Sequence, residues 1–374
     1  AAVLKTIRPF GGNVDEALPG AKALYVGSML QTLARKDWGT PTYKKFVSHY
    51  DSATFLDDYL LSALDGTGEF TGPYGNGEMV EAQTEAVKKG LQDQVLVMAA
   101  LSSLEEEGSG TVASWQKMWA YWTGEDPGGA PWARANKRCK NYLTCGNFTS
   151  DKGTTARANS NLLLATVRAT QALADGDGSV DVSTYVEAAK GNALIVYYQA
   201  SLRFTYFLDI ALSQRYEDQC ISCHEDYETA EYQGEGGAFW RVIAPLLAEM
   251  QPTEAAVVTA LYDMTYTPSG TYHFCPAREL LRLNLPAGMT SADFGKDPTH
   301  DVTVCTFPPP PPSTPPVQSP ATEESVTSSS SDSGLATGAI IGIAVGGGAV
   351  LVILVCGVIF IMQQKTNHHA VSPK

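Results

Sequence analysis

The chain of 374 residues carries 26 Lys and Arg against 40 Asp and Glu, a formal net charge of −14, with 44% hydrophobic residues and seven cysteines. An excess of acid on this scale argues against nucleic acid and anionic lipid as partners and permits cationic ones. The stretch before the proline tract at 308 is long enough to bury a large core, as one domain or two lobes.

Taken in order, the periodic segments are helical. Residues 78–106 place Val80, Val87, Leu91, Val95, Met98 and Leu101 at helical spacings behind a leading set of acids. The pattern recurs over 155–174 and over 183–214, the latter rich in aromatics (Tyr185, Tyr197, Tyr198, Phe204, Tyr206, Phe207). Residues 235–250 and 253–264 read as a further pair, with Pro252 opening the second. Alternating strand runs joined by hairpin turns are nearly absent, so the head, residues 1–306, is expected to be all-α with long loops around its cysteines. Two halves echo each other. The string from Tyr121 to Trp132 resembles that from Tyr232 to Trp240, and Glu85-Ala-Val-Lys-Lys-Gly resembles Glu187-Ala-Ala-Lys-Gly 102 residues later. The echo implies two related helical bundles, 1–150 and 151–306.

Downstream of Phe307 the composition changes. Residues 307–337 are a Pro/Ser/Thr tract without the apolar side chains a core requires, expected to form a disordered, semi-rigid stalk. An uninterrupted apolar run from Gly338 to Met362 follows. As a helix it would reach roughly 37 Å at 1.5 Å per residue, against a hydrocarbon core of about 30 Å, which predicts one transmembrane helix. Gly338, Gly342 and Gly346 repeat within it at a spacing seen in paired helices, though glycine is common in spanning helices generally. Lys365 and Lys374 follow the run and no Lys or Arg lies between Lys296 and the run. The positive-inside tendency therefore puts 363–374 in the cytoplasm and the head outside, a single-pass type I arrangement at the plasma membrane. Agreeing with this are an Ala1-Ala2-Val3 start, as after removal of a signal peptide, and the glycosylation sequon at Asn147. So does an even set of six cysteines in the head: Cys139, Cys145, Cys220, Cys223, Cys275 and Cys305. Of the fifteen pairings six cysteines allow, Cys139 with Cys145 has the look of a local loop staple.

Motifs that carry chemistry are few. Cys220-Ile-Ser-Cys223-His224 matches the pattern of covalent haem attachment, and equally that of two disulfide cysteines. Asp175-Gly-Asp-Gly178-Ser-Val-Asp181 resembles the middle of a calcium loop, but setting Gly178 at the turn puts Leu173 and Thr184 at the end positions, where carboxylates belong. A turn between helices accounts for it better. Glu78, Glu81 and Glu85 share one helical face, and His224, Glu225, Asp226, Glu228 and Glu231 crowd a short segment. Carboxylate, phenolate and imidazole donors in such groups suit ferric iron and similar ions, and a solvated helix face is the ordinary alternative. No nucleophile elbow, phosphate loop, HExxH or dinucleotide fingerprint occurs, so nothing in the sequence supports an enzyme.

Several strings in order resemble the algal low-iron-inducible periplasmic proteins, the iron-assimilating family that includes phytotransferrins. They are Glu85-Ala-Val-Lys-Lys-Gly; Trp119-Ala-Tyr121-Trp-Thr-Gly124; Ala133 through Lys137-Arg138-Cys139 to Thr144-Cys145; Ala158-Asn159-Ser160-Asn161-Leu162; Gln199-Ala-Ser-Leu-Arg203-Phe-Thr-Tyr206; and Glu235-Gly-Gly-Ala238-Phe239. The resemblance implies a helical extracytoplasmic protein that binds ferric iron for uptake, with carbonate as a synergistic anion and a transporter or reductase downstream. It implies Tyr121, Tyr206 and Glu235 as hard-oxygen ligands and Arg203 as the residue holding carbonate. Glu85, His224 and Glu228 are further metal-ligand candidates from the acidic clusters. The family pattern departs at Ser102-Ser103 and Gln116-Lys117, where histidine and acids are expected, and Glu105, Glu106 and Glu107 stand nearby to compensate. The reading is a stalked surface protein capturing ferric iron. Its rivals are a structural or adhesive surface protein without metal, favoured by those departures, and a haem-bearing redox protein resting on Cys220, Cys223 and His224.

Overall fold

The computed structural model describes residues 14–106, 111–124, 127–146, 153–176, 182–218, 225–265 and 273–296. All of them fall in one compact unit, Ala1–Cys305. The stalk, the apolar run 338–362, the sequon at Asn147, the glycine-rich string 177–181 and the Cys220–His224 string lie outside the described residues. No helix among the described residues is long and apolar enough to cross a membrane.

Among the described residues the named elements are all helical, and the single extended pairing is an isolated antiparallel bridge between Cys145 and Ala156. In chain order the helices are α1 (Val14–Tyr25), α2 (Met29–Ala34), α3 (Pro41–Tyr50), α4 (Phe55–Asp65), α5 (Asn76–Lys89), α6 (Leu96–Glu105), α7 (Val112–Thr123) and α8 (Pro131–Tyr142). They continue with α9 (Arg157–Ala174), α10 (Val182–Asp218), α11 (Glu225–Trp240), α12 (Ala244–Met250), α13 (Pro252–Leu261), α14 (Phe274–Leu283) and α15 (Ser291–Phe294). A π-helical turn, Gly90–Val95, joins α5 to α6 and makes the expected 78–106 helix one run with a widened middle. At its start Gly90 lets Leu60 of α4 pack close, since a Cβ there would lie 2.6 Å from Leu60 Cδ2.

Local chemistry sets the helix ends. Proline opens α3, α8, α12 and α13, where the missing N–H costs nothing. Ser28 and Thr111 cap α2 and α7 by accepting from the backbone N–H of Gln31 and Ser114. The expected helix 235–250 is instead the end of α11 and the whole of α12, divided at 241–243. Pro245 explains the division: it starts a helix well and cannot continue one.

Two hydrophobic cores form. One gathers α1–α5 and the π turn around Tyr25, Phe46, Phe55, Leu60 and Leu91, and α11 contributes Ala230 and Ala238 to it. The other surrounds α10 and takes in Trp115, Trp122, Tyr142, Leu162, Phe204, Phe239 and Leu281. Residues 112–142 and those from 157 onward thus share one core, and α11 serves both. Three of the strings quoted for the family resemblance meet in a polar tie within the second. Trp122 Nε1 donates to Asn159 Oδ1 at 2.8 Å, and Asn159 Nδ2 donates to the Trp132 carbonyl at 3.0 Å and to Asn136 Oδ1 at 2.9 Å. The Cys139–Cys145 staple is present, closing the end of α8, and Cys275 is disulfide-bonded as well.

Candidate ion-binding site

A close approach of two helices assembles a buried cluster of charges. α11 lies against α5 because Gly234 has no side chain: a Cβ there would stand 2.4 Å from the Ala82 carbonyl oxygen. Two residues on, Gly236 leaves room for the ring of Tyr262, whose Cε1 would meet a Cβ at 2.4 Å. Glu235, between these glycines, is thereby carried to α5, and its side chain is 8% exposed.

Lys89 on α5 receives it. Its Nζ lies 3.2 Å from Glu235 Oε1 and donates to Glu85 Oε2 at 2.8 Å, so one ammonium stands between two carboxylates. Lys88 closes on the other oxygen of Glu85. Burial opposes the charge of Glu85, but Lys89 and Lys88 together overcome it and hold its carboxyl down at about 2. Asp93, in the π turn, is wholly buried and accepts three bonds: from Arg134 Nε at 3.4 Å, from Arg134 Nη2 at 3.1 Å and from the Tyr197 hydroxyl at 2.9 Å. Arg134 also faces Glu235, Nη1 to Oε1 at 3.8 Å, and rests on the Phe239 ring at 4.6 Å. Burial works against its charge, and Asp93 and Glu235 reverse this. Against Tyr197, burial first and Asp93 second push the phenol well above its ordinary range.

Cations outnumber acids at the mouth. A cleft of about 260 Å³ opens among Glu85, Lys88, Lys89, Arg134 and Lys137, with Gln92 beside them: four cations to one carboxylate. One helical turn along α8 from Arg134 sits Arg138, 1% exposed, with Nε and Nη1 buried and without a hydrogen-bond partner among the described residues. Burial, then Arg134, lower its pKa to about 10, so it remains charged at neutral pH. Glu235 Oε1 is buried and, among the described residues, is held by the ion contacts of Lys89 and Arg134 without a hydrogen bond of good geometry. Buried polar atoms are nearly always hydrogen-bonded, so these are the atoms of the cluster with capacity left for a ligand. On the far side of the cluster Glu231 faces Glu85, Glu235 and Glu81; burial and then these like charges raise its carboxyl to about 7.

The residues expected as ligands are distributed as follows. Glu85 and Glu235 come together on Lys89. Tyr121 packs edge-on against Trp38 (6.4 Å between centroids), and Tyr206 edge-on against Phe274 (5.4 Å). Arg203 stacks over Phe207 at 4.3 Å and lies near enough to Arg138 to repel it. His224 and the side chain of Glu228 are outside the described residues, among which no group of three or more His, Cys, Asp or Glu is placed to hold a metal. The proposed compensating acids are engaged elsewhere. Glu105 caps α3 through Thr42 N–H (2.8 Å) and pairs with Lys190, Glu106 pairs with Lys36, and Glu107 is outside the described residues. Ser102 and Ser103 are fully buried, Ser103 Oγ donating to the Ala99 carbonyl, while Gln116 and Lys117 are exposed. Arg134, Arg138, Lys137, Lys88 and Lys89 were not expected as site residues. Each lies inside a string already singled out, and the signal in reach was a cluster of bases in an otherwise acidic head.

The chain matches no protein-family model, no curated protein and no solved structure.

Proposed function

We propose that the chain is a cell-surface binding protein that captures ferric iron together with a synergistic oxyanion such as carbonate, in the cleft between α5 and α8, beside Glu235 of α11. The observation that carries this reading is the surplus of buried cation: Arg138, with two N–H donors that lack a partner among the described residues, one helical turn from a cleft lined four to one by bases. A planar oxyanion suits a guanidinium fork, and Arg134 and Lys137 stand at the mouth to receive it. Glu85 and Glu235 supply hard oxygen donors beside the anion. Lys89, now between them, would turn to the anion as the trivalent cation takes its place. The chemistry is capture, not turnover. The apolar run 338–362 as anchor and 307–337 as stalk would keep captured iron at the membrane for a transporter or reductase. Related bundles at 1–150 and 151–306 and kinship with the iron-assimilating family belong to the same reading. Because ferric ligands must be deprotonated, affinity is expected to fall on acidification.

A second reading, an oxyanion bound without metal, is favoured by one observation: an ammonium already neutralises the Glu85–Glu235 pair. Titrating the full chain with ferric iron, with and without bicarbonate, separates the two. The proposal expects iron retention, read as iron-dependent near-ultraviolet absorbance, that requires bicarbonate. Bicarbonate binding with no retention of iron supports the second reading, and iron binding indifferent to bicarbonate contradicts both.

A further inference from the structure

A different cleft, of about 780 Å³, lies among the end of α8, α10, α14 and the α15 turn. Its floor is apolar: Tyr142, Leu202, Phe274 and Phe294 are each buried, and Tyr142 meets Phe294 edge-on at 5.7 Å. Its rim is basic. Arg278 and Arg282 stand one helical turn apart on α14, Lys296 faces them, and no carboxylate lines the cleft. None of the three forms an ion pair within 4 Å among the described residues; of the nearest acids, Glu279 acts on Arg278 only at longer range and Asp293 faces Arg157 at 3.9 Å.

The backbone holds these groups in place. Gly295 has φ +79°, and a Cβ on it would lie 2.2 Å from the Tyr142 carbonyl oxygen. That close turn lets the Lys296 N–H donate to the same carbonyl at 3.0 Å, fixing Lys296 at the rim. Leu143 caps α8 in the left-handed region, φ +55°, which a branched apolar residue rarely adopts. It is nonetheless 65% exposed beside the cleft, inside the loop closed by Cys139 and Cys145.

We propose that this cleft binds a single-chain amphiphilic anion, its carboxylate or phosphate head on Arg278, Arg282 and Lys296 and its acyl chain over the apolar floor and Leu143. The volume suits one small ligand, and a mostly apolar wall with a few convergent polar groups is how such sites are built. A lone amphiphile fits better than an anionic bilayer, because the head as a whole repels anionic surfaces: residues 1–306 hold 24 Lys and Arg against 37 Asp and Glu. This inference does not depend on the iron reading.

The test is equilibrium dialysis of the full chain, held in neutral phosphatidylcholine discs with empty discs subtracted, against labelled dodecanoate below its micelle concentration. Saturable binding is expected, at least about tenfold tighter than dodecanol because the head group is charge-paired. R278Q/R282Q should lose about tenfold for dodecanoate, and so should L143D, which changes an exposed side chain and leaves the core intact. Circular dichroism confirms the fold of each. Equal binding of dodecanol, unchanged binding by both variants, or binding to phosphatidylserine vesicles without binding of monomeric dodecanoate would each overturn the proposal.

Discussion

Replacing Asp93 by Asn removes one charge from the interior while keeping the shape of the side chain and an acceptor for Tyr197. Asp93 is 0% exposed and holds Arg134 through contacts of 3.1 and 3.4 Å, so the substitution leaves a buried guanidinium short of its nearest anion. Breaking a buried pair by removing one partner typically costs about 3–5 kcal/mol. Arg134 keeps Glu235 at 3.8 Å, an attraction of about 4 kcal/mol at an effective dielectric constant of about 20, before the desolvation it must offset. The retained partner should spare part of the loss, and about 3 kcal/mol is expected for D93N. The assay is urea unfolding of wild type, D93N, Arg134→Met and the double variant. The two single losses should exceed the double by about 2 kcal/mol, because removing both charges leaves neither stranded. A D93N loss under about 1 kcal/mol, or strict additivity, would refute the claim that these charges are paired in a dry interior.

Other outcomes follow from the same geometry. A carboxyl whose folded pKa lies above its unfolded value contributes stability at low pH and loses it as pH rises through the folded pKa. Glu231, raised to about 7, should therefore make the wild type less stable at pH 8.5 than at pH 5.5, with E231Q flattening that difference by about 1 kcal/mol after allowance for its partly exposed end; unfolding midpoints at the two pH values decide this. Gly234→Ala should cost about 2 kcal/mol or more, since its Cβ meets backbone at 2.4 Å, and should also weaken ligand capture by moving Glu235. Leu143→Gly should raise the thermal midpoint by relieving φ +55°, about 1 kcal/mol at most, and a fall would mean that Leu143 packs in the folded state.

Much of the helical fold was legible because apolar spacing survives local exceptions. The run 78–106 reads as one helix although Gly90–Val95 is a π turn, since the widened turn shifts the register by about one residue and leaves a buried face on both sides. The helix read over 235–250 opens in sequence on the string Gly234-Glu235-Gly236-Gly237, which in the structure lies well inside α11. Close packing against Ala82 and Tyr262 overrides the poor helix propensity of glycine, and nothing local announces such contacts. Glu85 and Glu235 stand out in the sequence through the strings that contain them, and the structure brings both to Lys89. Their cationic partners do not stand out. Lys137 and Arg138 look like ordinary surface bases in sequence, and only the packing of α8 against the π turn and α10 buries Arg138 to 1% exposure. Burial of a charge is a tertiary property, and an isolated helix pattern does not encode it.

The central claim is that the cleft lined by Glu85, Lys88, Lys89, Arg134 and Lys137 captures ferric iron with its anion. It is tested most directly by measuring ferric iron retained by the full chain after dialysis in bicarbonate, for wild type, E85Q/E235Q and K137Q. The first pair removes the oxygen donors and the second a base at the mouth. The account predicts near-stoichiometric retention by wild type, at least about a hundredfold weaker binding in E85Q/E235Q, and a loss in K137Q that higher bicarbonate restores. Retention by E85Q/E235Q equal to wild type would contradict it.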